Sequence, residues 1–324
     1  MRLLSASLAL LGALVAAAAS SAWAQSAAAR VGLLGPDEQP RFSEIGDGLR
    51  QGLREQGYPE GRVEIVEARV ARGDEAGGRG MIAKLADQRL SVLFVIGSNL
   101  ARVARDNLPG LPIVFISPGD PVAAGLVASL ARPGRNMTAL TFEYPELSAK
   151  RLELLRELAP KLSRVLVLYD PRDASPRQGV EAAREAARAL GFTLTEVQVR
   201  SRQEISEGLK KLDDAEALLC IPGGITSGHY DAMIRAANSR RRATIVFTDS
   251  PSTRDALFSY GASDVEVARQ SARAVAKVLQ GANAGDLAVE RPSKLALVIN
   301  LRTAKALGLT VPPALVLRAD RIIE

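Results

Sequence analysis

The sequence predicts an α/β protein built from two successive units, each a parallel sheet with helices on both faces. Two observations carry that expectation. Short β-branched apolar runs alternate with longer amphipathic stretches along most of the chain, and this alternation restarts near residue 143. Strand–helix alternation is the mark of parallel sheets whose helices cover both faces. Length agrees, because 324 residues make one large domain or two ordinary ones. With 47% hydrophobic and 24% charged residues, the composition is that of a globular protein.

The elements follow in order. Residues 1–24 read as a leader: Arg2, an apolar or small run from Leu3 to Ala19, and Ala22-Trp23-Ala24 have the layout of a signal peptide. Cleavage after Ala24 leaves a mature chain starting at Gln25. Ala29 to Leu34 is the first strand. Phe42, Ile45, Leu49 and Leu53 recur at spacings of three and four and form one helix face. Val63 to Val66 is a strand, Met81 to Gln88 lies in a helix, and Val92 to Ile96 is a fully apolar strand. Leu100 to Asn107 is a short helix, and Ile113 to Ile116 and Thr138 to Phe142 are strands that close the first series.

The second series opens with a helix from Leu147 to Ala159 and a strand from Val165 to Leu168. Ser175-Pro176 reads as an N-cap followed by proline at the first helical position, opening a helix to Leu190. Leu194 to Val199, Ala217 to Ile221 and Thr244 to Phe247 are strands. Val265 to Gln280 is a helix with Ala268, Ala272, Val275 and Leu279 on one face. Leu295 to Asn300 is a late strand, followed by a helix to Leu307 and a Pro312-Pro313 tail.

In open parallel sheets, ligands bind beyond the carboxyl ends of the strands. This chain puts small polar residues there. Gly97, Ser98 and Asn99 follow one strand, and Ser117, Pro118, Gly119 and Asp120 another. Tyr169 and Asp170, then Gly223 and Gly224, then Thr248, Asp249 and Ser250 follow strands of the second series. Hydroxyls and free N–H groups at helix N-termini suit a carboxylate, and Asp170 and Asp249 suit an ammonium group. Taken singly, Ser98, Asp120 and Ser175 also read as helix caps. Polar turns along one edge of both sheets point to a shared cleft.

Other chemistries find little support. His229 is the single histidine, in a surface turn, so a histidine-based triad has one candidate. No histidine–cysteine cluster has zinc spacing, Gly77-Gly78-Arg79-Gly80 lacks the lysine ending of a phosphate loop, and no G-x-G-x-x-G follows the first strand. The expectation is no metal, no cofactor and no enzyme activity. The net charge of +6 is spread over mixed-sign helices, without the basic blocks and interleaved aromatics of nucleic-acid binders. Trp23 lies in the leader, which leaves the mature chain without the strongest platform for a sugar ring. Cys220 is the lone cysteine. No cysteine follows the leader, which excludes a lipoprotein site. An exported, unlipidated, disulfide-free monomer fits a Gram-negative periplasm, where the Asn136-Met137-Thr138 sequon is a chance match.

Three longer segments carry a family resemblance. They are Leu126 to Thr138 with the preceding Gly119-Asp120-Pro121-Val122, Ala149 to Leu158, and Leu297 to Leu309. Together they resemble the bacterial ABC-transporter substrate-binding proteins that include tryptophan- and tyrosine-binding members. The resemblance implies a type I periplasmic binding-protein fold, with two Rossmann-like lobes joined by three crossings. The first lobe would hold residues 25–142 and about 261–285, and the second 143–260 and about 286–324. It further implies a small carboxylate-bearing solute held between the lobes and delivered to a permease and ATPase in the inner membrane. Ser98 and Asn99 match the turn that meets the carboxylate, Ser117 and Asp120 match the next turn, and Tyr144 lies on the first crossing. The turns at Gly35-Pro36-Asp37 and Pro222-Gly223-Gly224 depart from the family pattern, so an aromatic solute is not implied. Two other roles fit the same residues: a ligand-presenting sensory receptor and, with weaker support, a two-lobed hydrolase. The leader, and the lack of a DNA-binding headpiece ahead of Ala29, disfavour a regulator of the sugar-repressor type.

Overall fold

The computed structural model describes residues 28–37, 41–71, 74–143, 145–248, 250 and 252–324. The leader and its cleavage site lie outside them. Five strands form the first sheet: β1 (Ala29–Pro36), β2 (Val63–Val70), β3 (Val92–Ile96), β4 (Ile113–Pro118) and β5 (Met137–Glu143). Their order is β2-β1-β3-β4-β5, all pairs parallel. The second sheet takes β6 (Arg164–Tyr169), β7 (Thr193–Gln198), β8 (Ala217–Leu219), β9 (Ala243–Val246), β10 (Phe258–Gly261), β11 (Ala296–Asn300) and β12 (Arg321–Ile323). Its order is β12-β11-β10-β9-β8-β6-β7. The central strands β3, β8 and β9 are buried at every position, which explains why they read as unbroken apolar runs rather than as alternating ones.

The second sheet departs from the expected all-parallel pattern, because β10 and β11 pair antiparallel. The chain re-enters this sheet after leaving it, and it returns in the opposite direction. Sequence reading also passed over β10 and β12. Phe-Ser-Tyr-Gly has no apolar run, and its strand conformation comes from pairing with β9 and β11. The proline tail contains a further helix, Pro313–Arg318, with proline at its start. The cap at residue 175 is corrected too. Asp173 is the N-cap of the Ala174–Leu190 helix, and its carboxylate accepts from the Ser175 N–H at 3.2 Å.

Helix Asp264–Leu279 packs on helix Arg41–Glu55 and on β3, β4 and β5, although it lies more than 200 residues downstream of its partner. Two glycines one turn apart permit the approach. A Cβ on Gly48 would stand 2.4 Å from the Val265 carbonyl oxygen, and one on Gly52 would stand 2.2 Å from that of Arg269. Arg41 then clamps the start of the returning helix, donating to both oxygens of the nearly buried Asp264 at 2.8 and 3.1 Å. The chain therefore passes between the sheets at 143–145, at 261–264 and again at 290–296, where Glu290 bridges to Leu140 before β11 begins. Along these passages the apolar core is continuous. Phe142 from the end of β5 stacks on Phe247 from the end of β9, ring centroids 6.3 Å apart, and Tyr230 lies 5.7 Å from Phe247.

Candidate functional site: the cleft between the two sheets

The carboxyl edges of the two sheets face each other. Gly119, just after β4, lies against Ser175 in the first turn of helix Ala174–Leu190. A Cβ on Gly119 would meet the Ser175 Oγ at 2.5 Å and its Cβ at 2.6 Å. Gly119 has φ +80°, a conformation that glycine adopts without strain. The Thr141 hydroxyl donates to the Gly119 carbonyl and fixes this turn from below. Charge also reaches across. Burial and the nearby Asp264 push the Glu44 carboxyl up, while Arg254 of the second unit pulls it down.

On the first wall, helix Ser98–Asn107 starts with Gly97 as N-cap, at φ +101° and with no side-chain cap. The N–H groups of its first turn have no intrahelical acceptor, so they are available to an anion. Ser98 opens this helix, and its hydroxyl hydrogen-bonds that of Ser117 from the end of β4. Ser117 is 1% exposed and also donates to the Pro118 carbonyl at 2.9 Å. Two serines separated along the sequence thus form one polar spot at an uncapped helix N-terminus. The other residues expected on this wall turn elsewhere. Asn99 is exposed, and its Oδ1 faces Arg102 at 3.4 Å. Asp120 is exposed and closes its own turn, accepting from Val122 N at 2.8 Å and Ala123 N at 3.3 Å.

On the second wall, Asp170 is 7% exposed and already engaged. It accepts from Arg172 through the backbone N–H at 2.9 Å, Nε at 2.9 Å and Nη2 at 2.7 Å. Burial pushes this carboxyl up, but the Arg172 guanidinium and backbone N–H outweigh it and hold the group below the usual carboxylate range. Gly224 starts the short helix Gly224–Ser227, in a turn that packs on Pro176 through Gly223. Tyr144 and Asp249 lie outside the described residues.

The structure adds Arg151 and Ser148 to the residues read from the sequence, and gives Thr248, which the sequence places after its strand, a buried position. Arg151 is fully buried and donates to the Tyr260 carbonyl at 2.8 Å, beneath the 261–264 passage. Ser148 and Thr248 are buried at the cleft end of the second unit. Thr248 follows a strand, which was a usable signal. Ser148 sits in a helix start with no such mark. Cys220 is buried, which pushes its thiol up to about 12, so it stays protonated. His229 precedes helix Tyr230–Ser239, with Nδ1 2.9 Å from the Ile225 carbonyl. Among the described residues no group of three metal-ligating side chains gathers. A surface hollow lined by Arg105, Leu111, Ile113, Arg135, Met137 and Asn283 lies at the opposite, amino-terminal edge of the first sheet.

Comparison with known proteins bears on the family and the fold. Residues 30–323 match the family model described as ABC transporter substrate binding protein. A tyrosine-binding protein of Clostridioides difficile is 23% identical over 273 residues, covering 84% of this chain and 79% of the relative. A Streptococcus pneumoniae ABC domain solved in complex with L-Trp superposes with a TM-score of 0.82 at 24% identity, over 91% of this chain and 100% of that one. A conserved domain protein from Vibrio cholerae gives a TM-score of 0.82 at 28% identity, over 91% of this chain and 99% of that one.

Proposed function

This chain belongs to the family of ABC transporter substrate-binding proteins, and we propose that the solute it delivers is a small, amino-acid-like carboxylate held in the cleft between its lobes. The family is non-catalytic and extracytoplasmic, and its members hand a small molecule to a membrane transporter. The observation that supports the carboxylate is the uncapped start of helix Ser98–Asn107, with the Ser98 and Ser117 hydroxyls beside it. Backbone N–H groups, a helix dipole and two hydroxyls complement negative charge. The tyrosine-binding relative and the L-Trp complex lend further support.

In this reading Ser98, Ser117 and the Asn99 N–H hold the carboxylate. Asp120 shapes the turn beneath them. Asp170, Gly224, Tyr144 and Asp249 belong to the facing wall and the first passage. Because Arg172 neutralises Asp170, that residue acts through the shape of its turn, and Asp249 is the partner for an ammonium. A solute that touches both walls favours the closed arrangement, because it makes its full set of contacts only there. Closure then presents both lobes to the permease, and the ATPase supplies the energy. The leader pattern, with no cysteine directly after it, supports export to a periplasm without a lipid anchor.

A thermal-shift screen of the mature protein against amino acids, other carboxylates, nucleosides and neutral sugars tests the proposal. A ligand at 100 times its Kd stabilises the fold by about 2.7 kcal/mol. The expected result is a rise in Tm with one or more amino acids or related carboxylates, reduced in Ser98→Ala. A rise with neutral sugars alone would overturn it.

A further inference from the structure

Five buried side-chain atoms among the described residues have no hydrogen-bond partner, and their distribution is uneven. The Asn238 Oδ1 stands apart. The others are the Ser148 Oγ, Ser175 Oγ, Gln178 Oε1 and Thr248 Oγ1, and all belong to the cleft end of the second lobe. Ser148 lies in the first turn of helix Pro145–Leu158, directly after the first passage between the sheets. Ser175 and Gln178 lie one turn apart at the start of helix Ala174–Leu190, and Ser175 touches Gly119 of the facing lobe. Thr248 follows the carboxyl end of β9. Helix Pro145–Leu158 packs along helix Ala174–Leu190, and a Cβ on Gly179 would stand 3.2 Å from the Ser148 Oγ. Ser148 is 0% and Thr248 3% exposed.

A buried polar atom without a partner costs free energy, and native proteins keep few of them. Each one calls for an explanation, and use by a bound ligand is one. Here they gather on one wall of a solute cleft, on elements whose ends meet there.

The chemistry of the wall limits what it can hold. The unpartnered atoms are three hydroxyls and one amide oxygen, all uncharged. Two carboxylates nearby are already engaged, Asp170 with Arg172 and Asp173 in capping helix Ala174–Leu190. Helix Pro145–Leu158 begins at this wall, and the positive end of its dipole opposes an ammonium beside Ser148, which leaves that group to Asp249 in the functional reading. The three hydroxyls can each donate or accept and the amide oxygen accepts, so an uncharged group that does both, a hydroxyl above all, suits this wall. We propose that Ser148, Ser175, Gln178 and Thr248 form a second-lobe subsite for a hydroxyl or ring N–H of the solute, leaving the carboxylate to Ser98 and Ser117. This rests on the reading that the solute lies in the cleft.

The test uses Ser148→Ala, Ser175→Ala and Thr248→Val in the mature protein. Without ligand, each is expected to leave Tm unchanged or raise it, because each removes a hydroxyl that nothing satisfies. A clear fall in the Tm of free Thr248→Val would show a structural hydrogen bond and overturn the subsite. The binding arm uses calorimetric titration with L-tyrosine and L-phenylalanine, which differ by one hydroxyl. Wild type is expected to favour L-tyrosine by about tenfold, the equivalent of one hydrogen bond, and the variants to bring the two affinities together. A preference that survives in all three variants, or binding of other carboxylates but neither probe, overturns the subsite and leaves the functional reading standing. If neutral sugars bind and carboxylates do not, the functional reading falls. The variants titrated with ribose then judge the subsite: weaker binding supports it and equal binding overturns it.

Discussion

At the scale of single residues, Asp170 is tied to Arg172 within its own turn. The carboxylate is nearly buried while its partner is largely exposed. Removing the charge in Asp170→Asn should therefore cost only about 1 kcal/mol, less than a fully buried charged hydrogen bond. The sign of its pH dependence is fixed. A carboxyl held below its unfolded value contributes stability that is present above that value, near pH 4, and is lost as pH falls through the folded one. The Tm difference between wild type and Asp170→Asn should thus be full at pH 7 and shrink below about pH 4, which calorimetry at stepped pH would show. A constant difference down to pH 2 would remove the ion pair as its cause. If the proposed carboxylate site holds, Ser98→Ala should cost about 1 kcal/mol of binding, read by titration with the solute the screen finds. The Ser98–Ser117 juxtaposition was legible in the sequence, because both residues follow apolar strands and parallel sheets gather such ends. The Asp170–Arg172 pair was less so. Two residues apart in a turn is close in sequence, but sequence does not say which way a side chain folds back. Thr248 and Ser148 matter because they lack partners, and an absent partner leaves no trace in a sequence.

At the scale of elements, the contact between helices Arg41–Glu55 and Asp264–Leu279 carries the architecture, because it brings a distant segment back to the first lobe. Gly48 and Gly52 allow that approach, and backbone carbonyls stand where their Cβ atoms would be. Carbonyls in a helix cannot swing aside, so Gly52→Ala must force the helices apart. The expected cost is about 1–3 kcal/mol, the usual range for overpacking, measurable as a fall in Tm with helical content retained. Gly57→Ala is the matched control. That glycine has open space around it, and its positive φ of +83° carries a backbone cost of about 1–2 kcal/mol and no steric one. Equal losses in the two variants would mean that the helix contact is not what Gly52 serves. The periodicity of Phe42, Ile45, Leu49 and Leu53 announced the first helix and its buried face. Nothing local announced its partner, since pairing across more than 200 residues is a property of topology. The β10 and β12 strands escaped notice for the same reason, being short, mixed in polarity and made strands by their neighbours.

At the scale of the whole molecule, the two sheets meet at their carboxyl edges while sharing a core. The stacked Phe142 and Phe247 tie them on the core side, and Gly119 against Ser175 joins them across the cleft. These contacts should respond differently to substitution. Truncating Phe142 opens a cavity within continuous core and lowers stability. Gly119→Leu instead places a side chain where Ser175 stands, and does so in a left-handed conformation that L residues avoid. Each lobe keeps its own sheet and helices, so the variant should fold, but the lobes cannot come as close. Affinity then falls by the factor through which the closed population is reduced, since apparent Kd rises as the binding-competent fraction shrinks. A tenfold loss of that fraction is tenfold in Kd. Small-angle scattering with and without solute separates this from a lost contact. Wild type should contract when solute is added, and Gly119→Leu should contract less at saturation. Ser175→Gly makes room opposite the leucine, so Gly119→Leu with Ser175→Gly should recover part of the contraction. If the single variant contracts fully and binds as wild type does, the Gly119–Ser175 contact does not gate closure, and the glycine serves only the turn after β4.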